Sequence, residues 1–187
     1  MSQATMDPER AAEPRDLRDP ERFRSAALAH RAALYRVAAR MLDAQAAEDA
    51  LQEAFARAFA ARERFRGEAS PFAWLCAVLL NVCRDELRRR AVRRALRLDR
   101  VLVEPERVPD AEATPPQALE AQERARLLRE AIAELPRTQR EALVLVSLEG
   151  VAVRDAAQAL DTSEAAVWQA LSRGRAALRA TLSEVTS

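Results

Sequence analysis

The chain has no lysine: all 30 of its basic residues are arginines. Glycine occurs three times, cysteine twice, and histidine and tyrosine once each in 187 residues. Each scarcity removes a class of answer. With so little glycine, and with alanine filling much of the hydrophobic fraction, sheets and phosphate-cradling glycine loops give way to helices almost throughout. The one histidine, His30, and two cysteines without a CxxC neighbour supply neither a zinc ligand set nor a Cys–His nucleophile pair. Cys76 and Cys83 lie seven residues apart on one predicted helix, so their Cα atoms stand about 10 Å apart. A disulfide needs less than about 7 Å, and both are expected to be buried structural thiols of a reducing compartment. The longest uncharged run, 69–83, contains Pro71 and Asn81 and falls short of the about 18 residues of a membrane-spanning helix. An acidic, polar amino terminus carries no signal-peptide core. The expectation is a cytoplasmic protein without membrane insertion, enzymatic activity, metal, cofactor or small-molecule substrate. Arginine in place of lysine suits phosphate contacts, although coding bias in a GC-rich genome explains it more simply.

The net charge of +1 hides a strong polarity along the chain. Residues 84–100 hold eight arginines against Asp85, Glu86 and Asp99, a local charge of +5. Residues 104–116 hold Glu104, Glu106, Asp110 and Glu112 against Arg107, a local charge of −3. A basic helix end is thus followed by an acidic connector. The near-neutral total argues against a protein that grips DNA unaided, because non-specific affinity comes from neutralising phosphates.

The stretch Ser70–Arg90 carries the most chemistry. Ser70 is placed to cap a helix and Pro71 to take its first position, where a missing N–H costs nothing. One stripe of that helix, Leu75, Val78, Leu79, Val82 and Leu87, is apolar and must be buried. A second stripe, at three- and four-residue spacing, carries Trp74, Ala77, Asn81, Arg84 and Arg88. An aromatic ring, an amide and two guanidiniums on one helix face offer stacking, base-edge hydrogen bonding and phosphate attraction, the requirements for holding a nucleic-acid strand. A buried Trp beside a solvated arginine tail would explain the same residues.

Around that helix the chain divides into four parts: a disordered leader over 1–20 with Pro8, Pro14 and Pro20; a helical unit over 21–98; a linker over 99–117; and a second helical unit over 118–187. In the first unit, a helix over about 21–42 is anchored by Phe23, Leu28, Leu34, Val37 and Met41. A second, over about 46–63, has the stripe Ala47, Leu51, Ala54, Phe55, Ala58 and Phe59, with Glu48, Asp49, Gln52 and Glu53 on its other side. In the second unit, a helix over about 118–135 stops at Pro136, and one over about 137–148 is ended by Gly150. Val153–Leu160 and Ser163–Leu182, split by a turn at Asp161-Thr162, have the helix-turn-helix pattern. Val167, Leu171, Gly174 and Leu178 are expected in its core, leaving Trp168, Gln169, Ser172, Arg173, Arg175 and Arg179 accessible. The two units are expected to fold separately and to move relative to each other.

From Leu34 to Leu182 the chain resembles the extracytoplasmic-function (ECF) group of bacterial RNA polymerase sigma factors. In the first unit the resemblance rests on Leu34-Tyr35-Arg36, on the run Ala47–Phe55, and on Trp74-Leu75 followed by Asn81-Val82-Cys83-Arg84-Asp85 and the arginines. In the second it rests on Leu135-Pro136, Gln139-Arg140-Glu141, Glu149-Gly150 and Leu171-Ser172-Arg173-Gly174-Arg175. It implies an all-α protein with two small domains, sigma domains two and four, that bind core RNA polymerase and promoter DNA, and a regulating anti-sigma factor as a further partner. Asp49, Gln52 and Glu53 match the face that docks on the polymerase, although a solvated acidic face explains them equally well on physics alone. Trp74, Asn81, Arg84 and Arg88 match positions facing the minus-ten element, and the loop from Phe65 to Ala69 matches the one that captures an extruded base. The last helix would enter the major groove at the minus-thirty-five element, with Ser163, Trp168, Gln169, Ser172 and Arg173 as contacts. The linker matches a segment threading toward the RNA exit path.

Ala166, Trp168 and Ala170 replace the Thr, Lys and Arg usual in that family, so the reading helix has fewer donors. Trp168 has three readings: a thymine-methyl contact, a protein contact, or burial on the preceding helix. Gly174 stands where family members commonly have Ala. Two other functions share many of these features: an autonomous helix-turn-helix regulator, and a sigma-like protein that only sequesters an anti-sigma factor.

Overall fold

Two aspartates and a serine start the helices of the first unit in the computed structural model, which describes residues 16–96, 127–128 and 130–185. The predicted linker over 99–117 lies outside those residues, as do residues 1–15 of the predicted leader. Asp19 accepts a hydrogen bond from the Arg22 amide at 2.9 Å, and Pro20 takes the first position of α1, Pro20–Ala39. Asp43 accepts from the Ala46 amide at 2.9 Å to open α2, Ala44–Ala60. Ser70 Oγ accepts from the Ala73 amide at 3.1 Å and Pro71 begins α3, Pro71–Ala95, as the sequence predicts. The end of the expected disordered leader is folded: Leu17 is fully buried, and Asp19 is a cap.

Among the described residues there is no strand, and the architecture is all-α. Phe23, Leu34 and Val37 of α1 join Leu51, Ala54 and Ala58 of α2 and Leu75, Leu79 and Val82 of α3 in the core. Leu28, expected among the anchors of α1, is 66% exposed. Ala26 and Ala27 take the inward positions, and one residue further the helix has turned about 100° toward solvent. Along α3, Ala73, Cys76, Leu80 and Cys83 are buried as well as Leu75, Leu79 and Val82 of the predicted stripe, while its Val78 and Leu87 are partly buried. The reason is position: α3 is packed on α1 and α2 and also on a helix of the second unit.

In that second unit, residues 130–134 are helical and lead to Leu135, which is buried. Then comes α4, Arg137–Ala142, which widens into a π-helical stretch, Leu143–Leu148. Gly150, at φ +66°, ends it in the left-handed region that a side chain resists. The pair α5, Val153–Ala159, and α6, Glu164–Val185, forms the helix-turn-helix. Its turn is held by the Thr162 amide donating to Ala157 O at 3.0 Å and the Asp161 amide to Gln158 O at 3.2 Å. Asp161 sits there at φ +51°, the left-handed position of a Schellman closure. The predicted core of α6 is buried: Val167, Leu171, Gly174 and Leu178. A Cβ on Gly174 would lie 3.4 Å from Gln139 Cβ and 3.5 Å from Leu143 Cδ1, so this glycine marks where α6 crosses α4 closely. No described helix is long and apolar enough to cross a membrane.

Candidate nucleic-acid interface

The α3 stripe exists, but much of it is engaged. Trp74 is partly buried, and the Phe65 ring meets it edge-on with centroids 5.3 Å apart. Phe65, expected in a base-capturing loop, is only 3% exposed. An apolar ring with no polar handle gains more from packing on Trp74 than from facing water. Arg18 Nε, donating to Phe65 O at 3.3 Å, secures that loop from below. Asn81 and Arg88 are exposed.

Arg84 is the most constrained member. Its Nε and Nη2 donate to the two carboxylate oxygens of Glu141 at 2.7 and 2.8 Å, and its Nη1 donates to Asn81 Oδ1 at 2.7 Å. Glu141 belongs to the second unit and is 1% exposed. Donating to Glu141 raises the guanidinium of Arg84 above its already high pKa, against the effect of burial. Arg88, by contrast, meets Asp85 at 3.7 Å, with its side chain 74% exposed.

Other contacts between the units follow the same side. Arg36 Nε of α1 and Arg40 Nε at its C-cap donate to the two oxygens of Glu149 at 2.7 and 3.0 Å. Around the start of α3, Ser70 Oγ and its amide donate to Asp155 Oδ1 and Gln158 Oε1, each at 3.4 Å, and Gln158 Nε2 donates to Glu68 O at 3.4 Å. Thus α5 covers the 65–70 loop, and the units expected to move separately are packed together here. Between them lies a cleft of about 360 Å³ lined by Met41, Arg84, Leu87 and Arg88 on one side and Arg137, Arg140 and Glu141 on the other.

The remaining candidates are accessible. Asp49, Gln52 and Glu53 share the exposed face of α2. Asp49 accepts from Gln45 Nε2 at 3.2 Å, and Glu53 accepts from Arg57 Nε at 2.7 Å. On α6, Gln169, Ser172 and Arg173 are exposed, and Trp168 is 55% exposed rather than packed on the preceding helix. Ser163, expected to touch DNA, is exposed and caps α6, where its Oγ accepts from the Ala166 amide at 3.2 Å. Burial pushes the Cys76 and Cys83 thiols up to about 12, so both stay protonated and unreactive. Among the described residues no group of three His, Cys, Asp or Glu side chains could hold a metal.

Arg36, Arg40, Glu141 and Glu149 do not stand out as site residues in the sequence, although Arg36, Glu141 and Glu149 lie inside the motifs that carry the resemblance. A signal exists for one pair: Arg36 and Arg40 are four residues apart, on one helix face.

Known proteins resolve the family. The Sigma-70 region 2 family model matches residues 27–93 and the Sigma-70, region 4 model residues 125–178. The ECF RNA polymerase sigma factor EcfG of Rhodopseudomonas palustris (strain TIE-1) is 32% identical over 146 residues, 75% of this chain and 73% of the relative. The chain belongs to the ECF RNA polymerase sigma factors. A second ECF member, SigM of Mycobacterium tuberculosis (strain H37Rv), is 31% identical over 132 residues, 71% of this chain. That match spans 62% of the length of SigM, less than two thirds of it. The solved structure of CnrH in complex with the cytosolic domain of CnrY has a TM-score of 0.62 at 25% identity, covering 89% of this sigma factor and 90% of CnrH.

Proposed function

We propose that this ECF sigma factor binds core RNA polymerase, directs it to specific promoters and helps to open the DNA, acting by binding energy and with no chemical step of its own. The α2 face of Asp49, Gln52 and Glu53 docks on the polymerase. Trp74, Asn81, Arg84 and Arg88 hold the minus-ten element, with Asn81 serving base contact and the arginines the backbone. Gln169, Ser172, Arg173 and Trp168 of α6 read the minus-thirty-five element from the major groove. The boundaries 21–98 and 118–187 describe its two working domains, and the cytoplasm is where it acts. An anti-sigma factor is a further partner; the similar protein CnrH was solved in complex with the cytosolic domain of CnrY.

The observation that carries the reading is the pairing of two family matches in order with an exposed polar face on each matched unit: the acidic face of α2 in one and the donor-bearing face of α6 in the other. Mobility-shift assays test it. The purified chain should shift promoter duplexes only when core polymerase is present. A sequence-specific shift by the chain alone would instead identify an autonomous helix-turn-helix regulator.

A further inference from the structure

The ion pairs of the first unit fall into two sets. Several arginines find acids inside their own unit: Arg31 meets Glu48 at 2.6 Å, Arg57 meets Glu53 at 2.7 Å, and Arg90 meets Asp43 at 2.7 Å and Glu86 at 2.8 Å. Arg36, Arg40 and Arg84 differ, because their carboxylates come from the second unit. The two sides of these contacts are also unequal. The side chains of Glu149 and Glu141 are 3% and 2% exposed, whereas those of Arg36, Arg40 and Arg84 are 55%, 51% and 20% exposed. The acids are therefore sealed by the arginines, and the arginines form a cationic surface that would stand uncompensated if the units parted.

We propose that Arg36, Arg40 and Arg84 form one phosphate-binding surface for the nucleic-acid backbone, and that Glu141 and Glu149 occupy it in the closed chain as an internal stand-in for phosphate. The proposal rests on the reading above, in which Arg84 contacts promoter DNA, and adds Arg36 and Arg40 at the end of α1 to that contact.

The geometry fits an anion with repeated charges. The Arg84–Glu141 pair is a two-pronged fork, the arrangement a guanidinium also offers to a phosphate. One carboxylate, that of Glu149, is shared by two guanidiniums at the end of α1, Arg36 in its last turn and Arg40 at its C-cap. The two glutamates are eight residues apart, Glu141 in α4 and Glu149 as the C-cap of the π-helical stretch, so the carboxylates meet the arginines at two separate points. Closing the chain removes these guanidiniums from DNA, and it also brings α5 over the 65–70 loop. A free chain in this arrangement is self-inhibited. Polymerase binding, or a polyanion, releases it.

The test uses the full chain with Glu141→Gln and Glu149→Gln, which keep shape and remove charge, and a fluorescent duplex of non-promoter sequence as the probe. The double variant should bind the duplex about tenfold tighter than the parent, equivalent to about 1.4 kcal/mol. Its hydrodynamic radius should be larger, with unchanged helical circular dichroism. Adding Arg36→Ala and Arg40→Ala to that variant should abolish the gain. No gain in the folded double variant, or a gain that survives loss of Arg36 and Arg40, overturns the proposal. Should the glutamine variant fail to fold, the exposed Arg36→Ala/Arg40→Ala chain in holoenzyme decides the matter. Its log–log salt slope for DNA binding should fall by about two units, and an unchanged slope overturns the proposal. Promoter-dependent DNA binding by parental holoenzyme reports on the sigma-factor reading itself, so the two failures are told apart.

Discussion

Replacing Arg84 by alanine removes from Glu141 two hydrogen bonds at once, of 2.7 and 2.8 Å. The stranded carboxylate has a side-chain exposure of 2%, so water cannot replace them without movement. Breaking a fully buried pair from one side costs about 3–5 kcal/mol. Arg84 keeps 20% of its side chain in solvent, which screens the pair and lowers the expected cost to about 2 kcal/mol. Neutralising the stranded acid as well, with Arg84→Ala and Glu141→Gln together, should return more than half of that loss, because an amide is far cheaper to bury than a charge. The readout is a double-mutant cycle by urea denaturation followed by far-ultraviolet circular dichroism. Arg88→Ala serves as the internal comparison. Its ion pair is long and exposed, and it should change stability by less than about 0.5 kcal/mol. Equal effects of Arg84→Ala and Arg88→Ala would refute the reasoning, since they would mean that the Arg84–Glu141 pair is open and solvated in solution.

Gly174→Ala should stabilise the chain by up to about 1 kcal/mol, because helix propensity improves and the nearest atoms to the new methyl stand at ordinary contact distance, 3.4–3.5 Å. A loss of stability in thermal melts would show that the α6–α4 crossing tolerates no added carbon. Burial pushes the Asp43 carboxyl up, but the Ala46 amide and the Arg90 guanidinium outweigh it and hold the group below its usual 3.8. That contribution to stability is complete above about pH 4 and is lost as pH falls through the lowered folded value. Asp43→Asn, which retains a capping oxygen, should flatten this acid limb of the stability–pH curve, and an unaltered limb would remove Asp43 as its source. Asp49→Arg with Glu53→Arg should weaken co-purification with core polymerase while leaving helical circular dichroism intact; unchanged retention would free the α2 face of that role.

Much of the fold could be read in the sequence because its signals are local. Ser70 before Pro71, Gly150 after an apolar run and the spacing of Val167, Leu171, Gly174 and Leu178 each specify a cap, a stop or a buried face within one or two turns. The exposed positions of α6 were legible for the same reason: an exposed residue on an amphipathic helix is defined by its own periodicity. The burial of Phe65 was not legible because a loop aromatic carries no period, and its packing depends on where Trp74 arrives. Leu28 failed as an anchor because Ala26 and Ala27, small but inward, had already filled that turn. Ser163 offers a hydroxyl equally suited to a cap and to DNA, and only the position of the Ala166 amide separates the two. The π-helical stretch Leu143–Leu148 is apolar at all but Ser147, so nothing in its pattern distinguishes one helical pitch from another. Least legible were Glu141 and Glu149. A lone glutamate carries no local signal for burial, and burial of these two is produced by arginines more than fifty residues away in sequence.

Initiation by purified core polymerase on genomic DNA fragments, with and without this chain and with the transcript 5′ ends mapped, measures the sigma-factor role itself. Discrete start sites should appear only when the chain is added, and should weaken at every site with Arg88→Ala. Identical transcripts with and without the chain, under conditions where the chain is folded, would contradict it.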